Sequence, residues 1–562
     1  MGISDGFSRK EFLIGMLVSA ASTALPSGVG QQGATAPQPS DITLDDLKAF
    51  EKIAGLEFSE EERKRVLNQV IAARRGFENV RGQPIDYSVL PQTPFFAEPP
   101  LPLGHCKISY QAEDAKGLVV PTNEEDIAFM SVRNLSTLIK QKKISPVELT
   151  KIYLKRLDKY GDKLLCVVTM CEDLALKQAK KAEEEIMRGG PRTALHGIPY
   201  GIKDLFATKD IPTTWGASPY KSQVFDYDSA VVERMNAAGA VMLAKLSMGA
   251  LAMGDVWFKG TTKNPWNVAQ GSSGSSAGSA CATAAGLAAF CIGTETLGSI
   301  VSPSHQCRVT GLRPTFGRIS RYGAMAVSWS MDKAGPICRT VEDCALVLGH
   351  LIGADPRDPS AVNRPFEYSD RLDVSKLRIG YLLGPTQDPK DASLGKEDYL
   401  LPLIQMGAKL EPIQFAPVPE GVSVILGVEA AAAFDDLTRS PGINDLKPSS
   451  WPETYRANRH VPAVEYLQAM RARTLLMKAF NDRFVGFDMF VAKNRADFTL
   501  LHTNLTGHPQ ILVPDGVNDR GNAKSVSFVG QLFDEGRLAA VASKYQKATG
   551  VWKLRPDMSK VV

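Results

Sequence analysis

The stretch "GSSGSSAGSA", residues 271–280, carries no charge and no side chain larger than a hydroxymethyl group. Three kinds of segment have this composition: a flexible linker, a loop that cradles phosphate, and backbone held close to a reacting atom. The flanks decide among them. Upstream lies "TTKNPWNVAQ", turn-rich and, with Pro265 and two asparagines, a poor strand. Downstream, "SACATAAGLAAFCIG" reads as a small-residue helix running into a buried strand. Apolar periodicity resumes within a few residues, so the stretch is not a linker between domains. A phosphate loop of the G-x-x-x-x-G-K-[ST] type needs a lysine that is absent here.

Outward from this stretch the chain alternates helices with short apolar strands. "SPVELTKIYLKRLDKYG" opens with Ser145 as N-cap, Pro146 at the first helical position and Glu148 closing a capping box. "HGIPYGIKDLF" predicts a strand around Ile198 to Ile202, and "DSAVVERMNAAGAVMLAKL" a helix, a glycine stop and a strand. "TVEDCALVLGHLIG" reads as a helix capped by Thr340 and stopped by Gly353. "LRIGYLLG" reads as a strand, and "LIQMGAKLEPI" as a helix end and a strand. This pattern predicts an α/β fold: three layers, α/β/α, around a mixed sheet.

Before that domain come two other regions. "FSRKEFLIGMLVSAASTALPSGVG" joins Arg9 and Lys10 to an apolar, Ala/Ser-rich run too interrupted for a membrane span. It resembles an export signal of the twin-arginine type, and residues 1–36 are expected to be signal and linker, which sends the protein to the periplasm or outside the cell. Residues 41–115 are expected to form a helical extension and a Pro-rich loop, "LPQTPFFAEPPLPLG". In the extension, Ser59 and Glu62 make a capping box. The main domain then covers 130–552.

Several chemistries drop out on composition. The net charge is +4 over 562 residues, and no basic run interleaves with aromatics, so nucleic acid is not an expected partner. The eight cysteines form no CxxC, and the seven histidines no HExxH, so no metal site is expected. Two short patterns suggest serine chemistry. Gly274 to Gly278 matches G-x-S-x-G, which would make Ser276 a nucleophile served by His502 or His508. That elbow requires a strand immediately before it. Ser330 to Lys333 matches S-x-x-K, but Gly335 and Pro336 follow at once and would not continue a helix.

A third reading takes in more of the chain. "GIPYGIKD" (197–204), "SGSSAGSA" (273–280) and "GTETLGSIVSPS" (293–304), in this order, resemble the three motifs of the amidase signature family. "KNPW", "GLRPT", "GRISRYG" and "DKAGPICRTVEDCALVL" agree as landmarks. The resemblance is close over about residues 133–352 and looser to about 550. It implies a Ser–Ser–Lys triad with Ser299 as nucleophile, Ser275 as bridging serine after a cis peptide bond, and Lys203 as base. It also implies an oxyanion hole from the backbone N–H groups of Thr296, Leu297, Gly298 and Ser299. A lysine can act as base only when neutral. Holding it so at pH 7 requires about 4–5 kcal/mol of environmental bias, which burial supplies.

The implied function is hydrolysis of a small-molecule amide C–N bond through an acyl-enzyme, with no cofactor. The family also contains the glutamine-hydrolysing subunit of tRNA-dependent amidotransferases, which works with partner proteins and charged tRNA in the cytoplasm. A degenerate member that only binds amides is the third alternative. Four positions depart from the family pattern: Glu295 for Asp, Leu297 for Gly, Val301 for Arg and Arg308 for Gly. From these we expect strain in the oxyanion hole at Leu297 and a missing ion pair to the acidic residue at 295. "VAKNRADFTLLHTNLTGHP" replaces the family's late Pro/Thr-rich segment, so the pocket is expected to differ.

Overall fold

A computed structural model describes residues 42–83, 104, 106–112, 117–387, 397–446 and 449–561. The candidate export signal (1–36) and nearly all of the Pro-rich loop lie outside these residues.

Eleven strands form one sheet. In chain order they are β1 (Val167–Met170), β2 (Pro199–Lys203), β3 (Val241–Leu246), β4 (Phe290–Glu295), β5 (Thr310–Arg313), β6 (Lys333–Cys338), β7 (Arg378–Leu382), β8 (Lys409–Ile413), β9 (Met489–Lys493), β10 (Gln510–Val517) and β11 (Ala523–Gly530). Across the sheet the order is β8-β7-β9-β11-β10-β5-β6-β4-β2-β3-β1. β2 pairs parallel with both β3 and β4, whereas β6 runs antiparallel between β4 and β5. The sheet is therefore mixed. Its central strands are buried along their length, as expected where helices cover both faces.

The local signals explain the elements around the site. Ser145 caps the helix Pro146–Tyr160, and Glu148 returns the bond to the Ser145 N–H. Gly239, left-handed at φ +84°, ends the helix Ala230–Ala238 and turns the chain into β3. The helix Ala277–Ala284 is buried at all eight positions. Ala, Gly, Ser and Cys let it lie close on β4, and its hydroxyls are satisfied internally: Ser279 donates to the Ile292 carbonyl and Thr283 to that of Ser279.

The extension forms two helices, Leu44–Ala54 and Glu60–Arg81, each opened by a capping box, at Thr43 and Ser59. Leu47 and Val66 pack on Ala457. Glu62 pairs with Arg456 at 2.5 Å, Arg81 with Glu465, and Asn79 donates to Glu420 at 2.6 Å. The extension is thus bound to the helical segment 420–484 rather than to the sheet.

Two expectations are corrected here. Residues 263–271 do form strands, Lys263–Asn264 and Asn267–Gly271, paired as a small hairpin; Pro265 and Trp266 occupy its turn. The helix capped by Thr340 ends at Gly349, not at Gly353. Gly353 instead lets two chain segments meet, because a Cβ there would lie 2.5 Å from the Gly104 carbonyl oxygen. A further parallel pair, Ile108–Gln111 with Phe366–Ser369, joins the end of the extension to the main domain.

Candidate functional site

Lys203 ends β2, where the central parallel strands stop. It is fully buried. Its amine donates to Ser275 Oγ at 2.8 Å, Thr294 Oγ1 at 2.9 Å and Ser276 Oγ at 3.2 Å. A fourth bond, at 3.5 Å, goes to the Thr294 carbonyl; all four acceptors are neutral, and no carboxylate lies within ion-pairing distance among the described residues. Burial therefore acts against the charged form, opposed only by the more distant Asp332 and Glu295, and the pKa falls to about 7.

The segment between the hairpin and the buried helix brings the serines to this amine. Ser272 N–H donates to the Thr262 carbonyl and Ser273 N–H to Asp255. The Gly274–Ser275 peptide bond is cis, as the resemblance implies. A Cβ on Gly274 would lie 1.8 Å from the Gly254 carbonyl oxygen, so only glycine fits at that point. This answers the question set by the small residues: the backbone passes against another backbone beside the lysine.

Ser299 lies on the turn between β4 and the helix Val301–Gln306 and is 7% exposed. Its carbonyl accepts from Ser276 N–H at 3.1 Å, which ties this turn to the serine-rich loop. Gly298 is left-handed at φ +85°. The N–H groups of Leu297, Gly298 and Ser299 donate to no acceptor among the described residues, so they are free for a ligand oxygen.

Behind the turn, Glu295 accepts from Ile300 N–H at 2.9 Å and Val301 N–H at 3.0 Å. Arg313 pairs with it at 2.7 Å, both side chains fully buried, and Asn504 donates at 3.0 Å. Burial alone would raise this carboxyl, but Arg313 and the backbone donors hold it at about 2. The ion pair expected to be missing is present, with Arg313 of "GLRPT" supplying the guanidinium. The strain expected at Leu297 is absent too, because the left-handed residue is Gly298. Arg308 does adopt the left-handed conformation, at φ +54°. That costs about 1–2 kcal/mol. It is offset by a bond to the Gly521 carbonyl at 2.9 Å and by stacking on Trp266.

The competing serine patterns do not assemble. Ser276 is fully buried and donates to the Thr294 carbonyl at 3.0 Å. His502 bonds to the Ala416 and Phe498 carbonyls, and His508 to Thr506, so neither histidine serves Ser276. Ser330 donates to Glu429 and accepts from Arg473, not from Lys333. Among the described residues no group of His, Cys, Asp or Glu could hold a metal ion, and no helix is long and apolar enough to cross a membrane.

A cavity of about 700 Å³ opens beside the cluster. Thr294 and Thr296 lie on its wall, with Asp332, Trp329 and Met325. Asp332 accepts from Thr296 Oγ1 at 2.5 Å and from the N–H groups of Val327 and Ser328. Neither Asp332 nor Arg313 stood out as a site residue in the sequence, although both belong to motif landmarks.

The chain matches the family described as Amidase over residues 148–484. It is 34% identical to a glutamyl-tRNA(Gln) amidotransferase subunit of Methylococcus capsulatus, over 76% of this chain and 98% of that protein. The same subunit of Carboxydothermus hydrogenoformans is 31% identical over 77% and 100%. Among solved structures, an amidase family protein from Bacillus anthracis superposes with a TM-score of 0.68 at 27% identity, covering 79% of this chain and 95% of that one. The peptide amidase of Stenotrophomonas maltophilia gives 0.65 at 28%, covering 76% and 98%.

Proposed function

The chain belongs to the amidase signature family, and on that footing we propose that it cleaves amide C–N bonds with Ser299 as nucleophile, Ser275 as relay and Lys203 as base. The observation that carries this reading is the buried Lys203 amine, whose hydrogen-bond partners are three hydroxyls and a backbone carbonyl, all neutral. Ser299 Oγ attacks the amide carbon as its proton passes by way of Ser275 to the neutral amine. The oxyanion takes hydrogen bonds from the free N–H groups of Leu297, Gly298 and Ser299, with Thr296 at the edge of the same turn. The C–N bond then breaks, and the proton goes to the leaving nitrogen. Water attacks the acyl-enzyme by the same route in reverse and releases the acid.

Labelling with a fluorophosphonate, followed by peptide mapping, tests this. The label is expected on Ser299. A label on Ser276, or none, contradicts it.

A second reading has its own support. The amidotransferase subunits named above are matched over nearly their whole length, which favours a glutamine-hydrolysing role within a larger complex. The two readings share the chemistry and differ in what the chain needs. Hydrolysis of simple amides by the purified chain alone supports the first; release of ammonia from glutamine only when partner proteins and charged tRNA are added supports the second. We also propose export through residues 1–36. N-terminal sequencing from the native host is expected to find a start between about residues 25 and 40; Met1 or Gly2 retained in the mature chain contradicts it.

A further inference from the structure

The cavity beside the cluster has a second lysine on its wall. Lys333 begins β6, opposite Glu295 in the register. It is 2% exposed, and among the described residues its Nζ has no hydrogen-bond partner. Leaving such a donor unpaired in the interior is costly, and more so if it is charged.

The groups that face it are already committed. Arg313, Glu295, Asp332 and Arg473 act on the amine. Glu295 is taken by Arg313, Asn504 and two backbone N–H groups. Asp332 is taken by Thr296, Val327 and Ser328. Arg473 donates to Ser330 and to the Leu505 carbonyl. Burial, and then Arg313, push the Lys333 amine well below the ordinary lysine range. A methionine would fill the same space without this cost.

We propose that Lys333 is the specificity-determining residue of the cavity and binds a carboxylate on the acyl side of the substrate, so that the preferred substrates are monoamides of dicarboxylic acids. The inference rests on the amide-hydrolase reading above. The surroundings favour a carboxylate over a neutral carbonyl. Arg321, Arg357 and Arg473 share the cavity wall with Lys333 against Asp332 and Asp358, Arg321 being paired with Asp358, so cations outnumber anions there, and burial raises the Asp332 pKa toward its neutral form. A carboxylate entering here supplies the missing acceptor and the charge that keeps the proton on the amine. The cavity has the volume for such a ligand.

The test compares kcat/KM of the purified full-length chain for adipamate and for hexanamide, in the wild type, Lys333→Met and Lys333→Gln. The wild type is expected to prefer adipamate by about 30-fold, within the range of a hydrogen bond to a charged group. Both variants are expected to lose that preference, mainly through KM for adipamate. Fluorophosphonate labelling of Ser299 confirms that each variant keeps a folded site. Wild-type turnover of hexanamide without preference for adipamate overturns the inference alone. Failure of the wild type on both amides removes the hydrolase reading and this inference with it. A preference that survives in both variants places the carboxylate elsewhere. A loss of both amides in equal measure makes Lys333 a structural group. Either result overturns the proposal.

Discussion

Two lysines lie on neighbouring parallel strands, one residue apart in register: Ile202 pairs with Lys245, and Lys203 with Leu246. Both are fully buried. Lys245 has a carboxylate, Asp204, at 3.2 Å, and it also donates to the Phe206 carbonyl and to Thr213. Asp204 is held in turn by Thr214 through its N–H and its hydroxyl. Burial pulls the Lys245 amine down, and Asp204 opposes it. Lys203 meets only neutral groups, three hydroxyls and the Thr294 carbonyl, and the nearest opposing charges act only from a distance. The same residue type at the same depth is therefore paired with a carboxylate in one place and, on the proposed reading, serves as a base in the other. The difference lies in whether the surroundings supply a paired anion.

The largest way to break this comparison is to remove the base. Lys203→Ala is expected to lower kcat by about three orders of magnitude or more, read against an amide substrate. Lys203→Arg is expected to fare no better, because a guanidinium does not release its proton. Activity in Lys203→Arg close to that of the wild type would show that the cation, not the free amine, matters.

Stability separates the two sites in opposite directions. Lys245→Met leaves Asp204 buried without its cation and is expected to cost about 3–5 kcal/mol in denaturant unfolding. Lys203→Met is expected to stabilise by about 1–2 kcal/mol at neutral pH while abolishing turnover. The sign follows from linkage. The folded pKa, about 7, lies below that of an unfolded lysine, near 10.4, so between them the unfolded chain binds more protons. The native lysine therefore costs most below pH 7, and the cost disappears as pH rises past about 10.4. A stabilisation by Lys203→Met that did not shrink between pH 7 and pH 10 would contradict the assignment. The smallest effect belongs to Ser276→Ala. It removes a hydroxyl that bonds the Thr294 backbone and the Lys203 amine. A loss of about 1 kcal/mol in stability and a few-fold in kcat is expected. A loss as large as that of Lys203→Ala would return Ser276 to the role of nucleophile.

Much of this site was legible because its parts are short and local. A lysine at a strand end, a glycine beside a serine and a glycine before a second serine are features of three small segments. The alternation of helices and strands likewise marks the layered fold from neighbouring residues alone. What was not legible depends on residues distant in sequence. Arg313 reaches Glu295 across two strands, so Val301 appeared to leave the acid without a partner. The hairpin at 263–271 was missed because Pro265 and the asparagines of its turn made the whole segment read as turn-rich and a poor strand. Lys333 belongs to a landmark motif, yet its lack of a partner appears only once Glu295, Asp332 and Arg473 are seen to be occupied. Local pattern carries which elements form; it does not carry which charges are satisfied.

The most direct test of the central claim is kcat/KM against pH for the wild type, Lys203→Ala, and a pair of His502→Ala and His508→Ala variants. A neutral lysine base predicts that wild-type activity rises with pH through an apparent pKa near 7, as Lys203 loses its proton. That limb is expected to vanish from the residual activity of Lys203→Ala and to persist in both histidine variants. A limb that survives removal of Lys203 and disappears with either histidine would contradict the account.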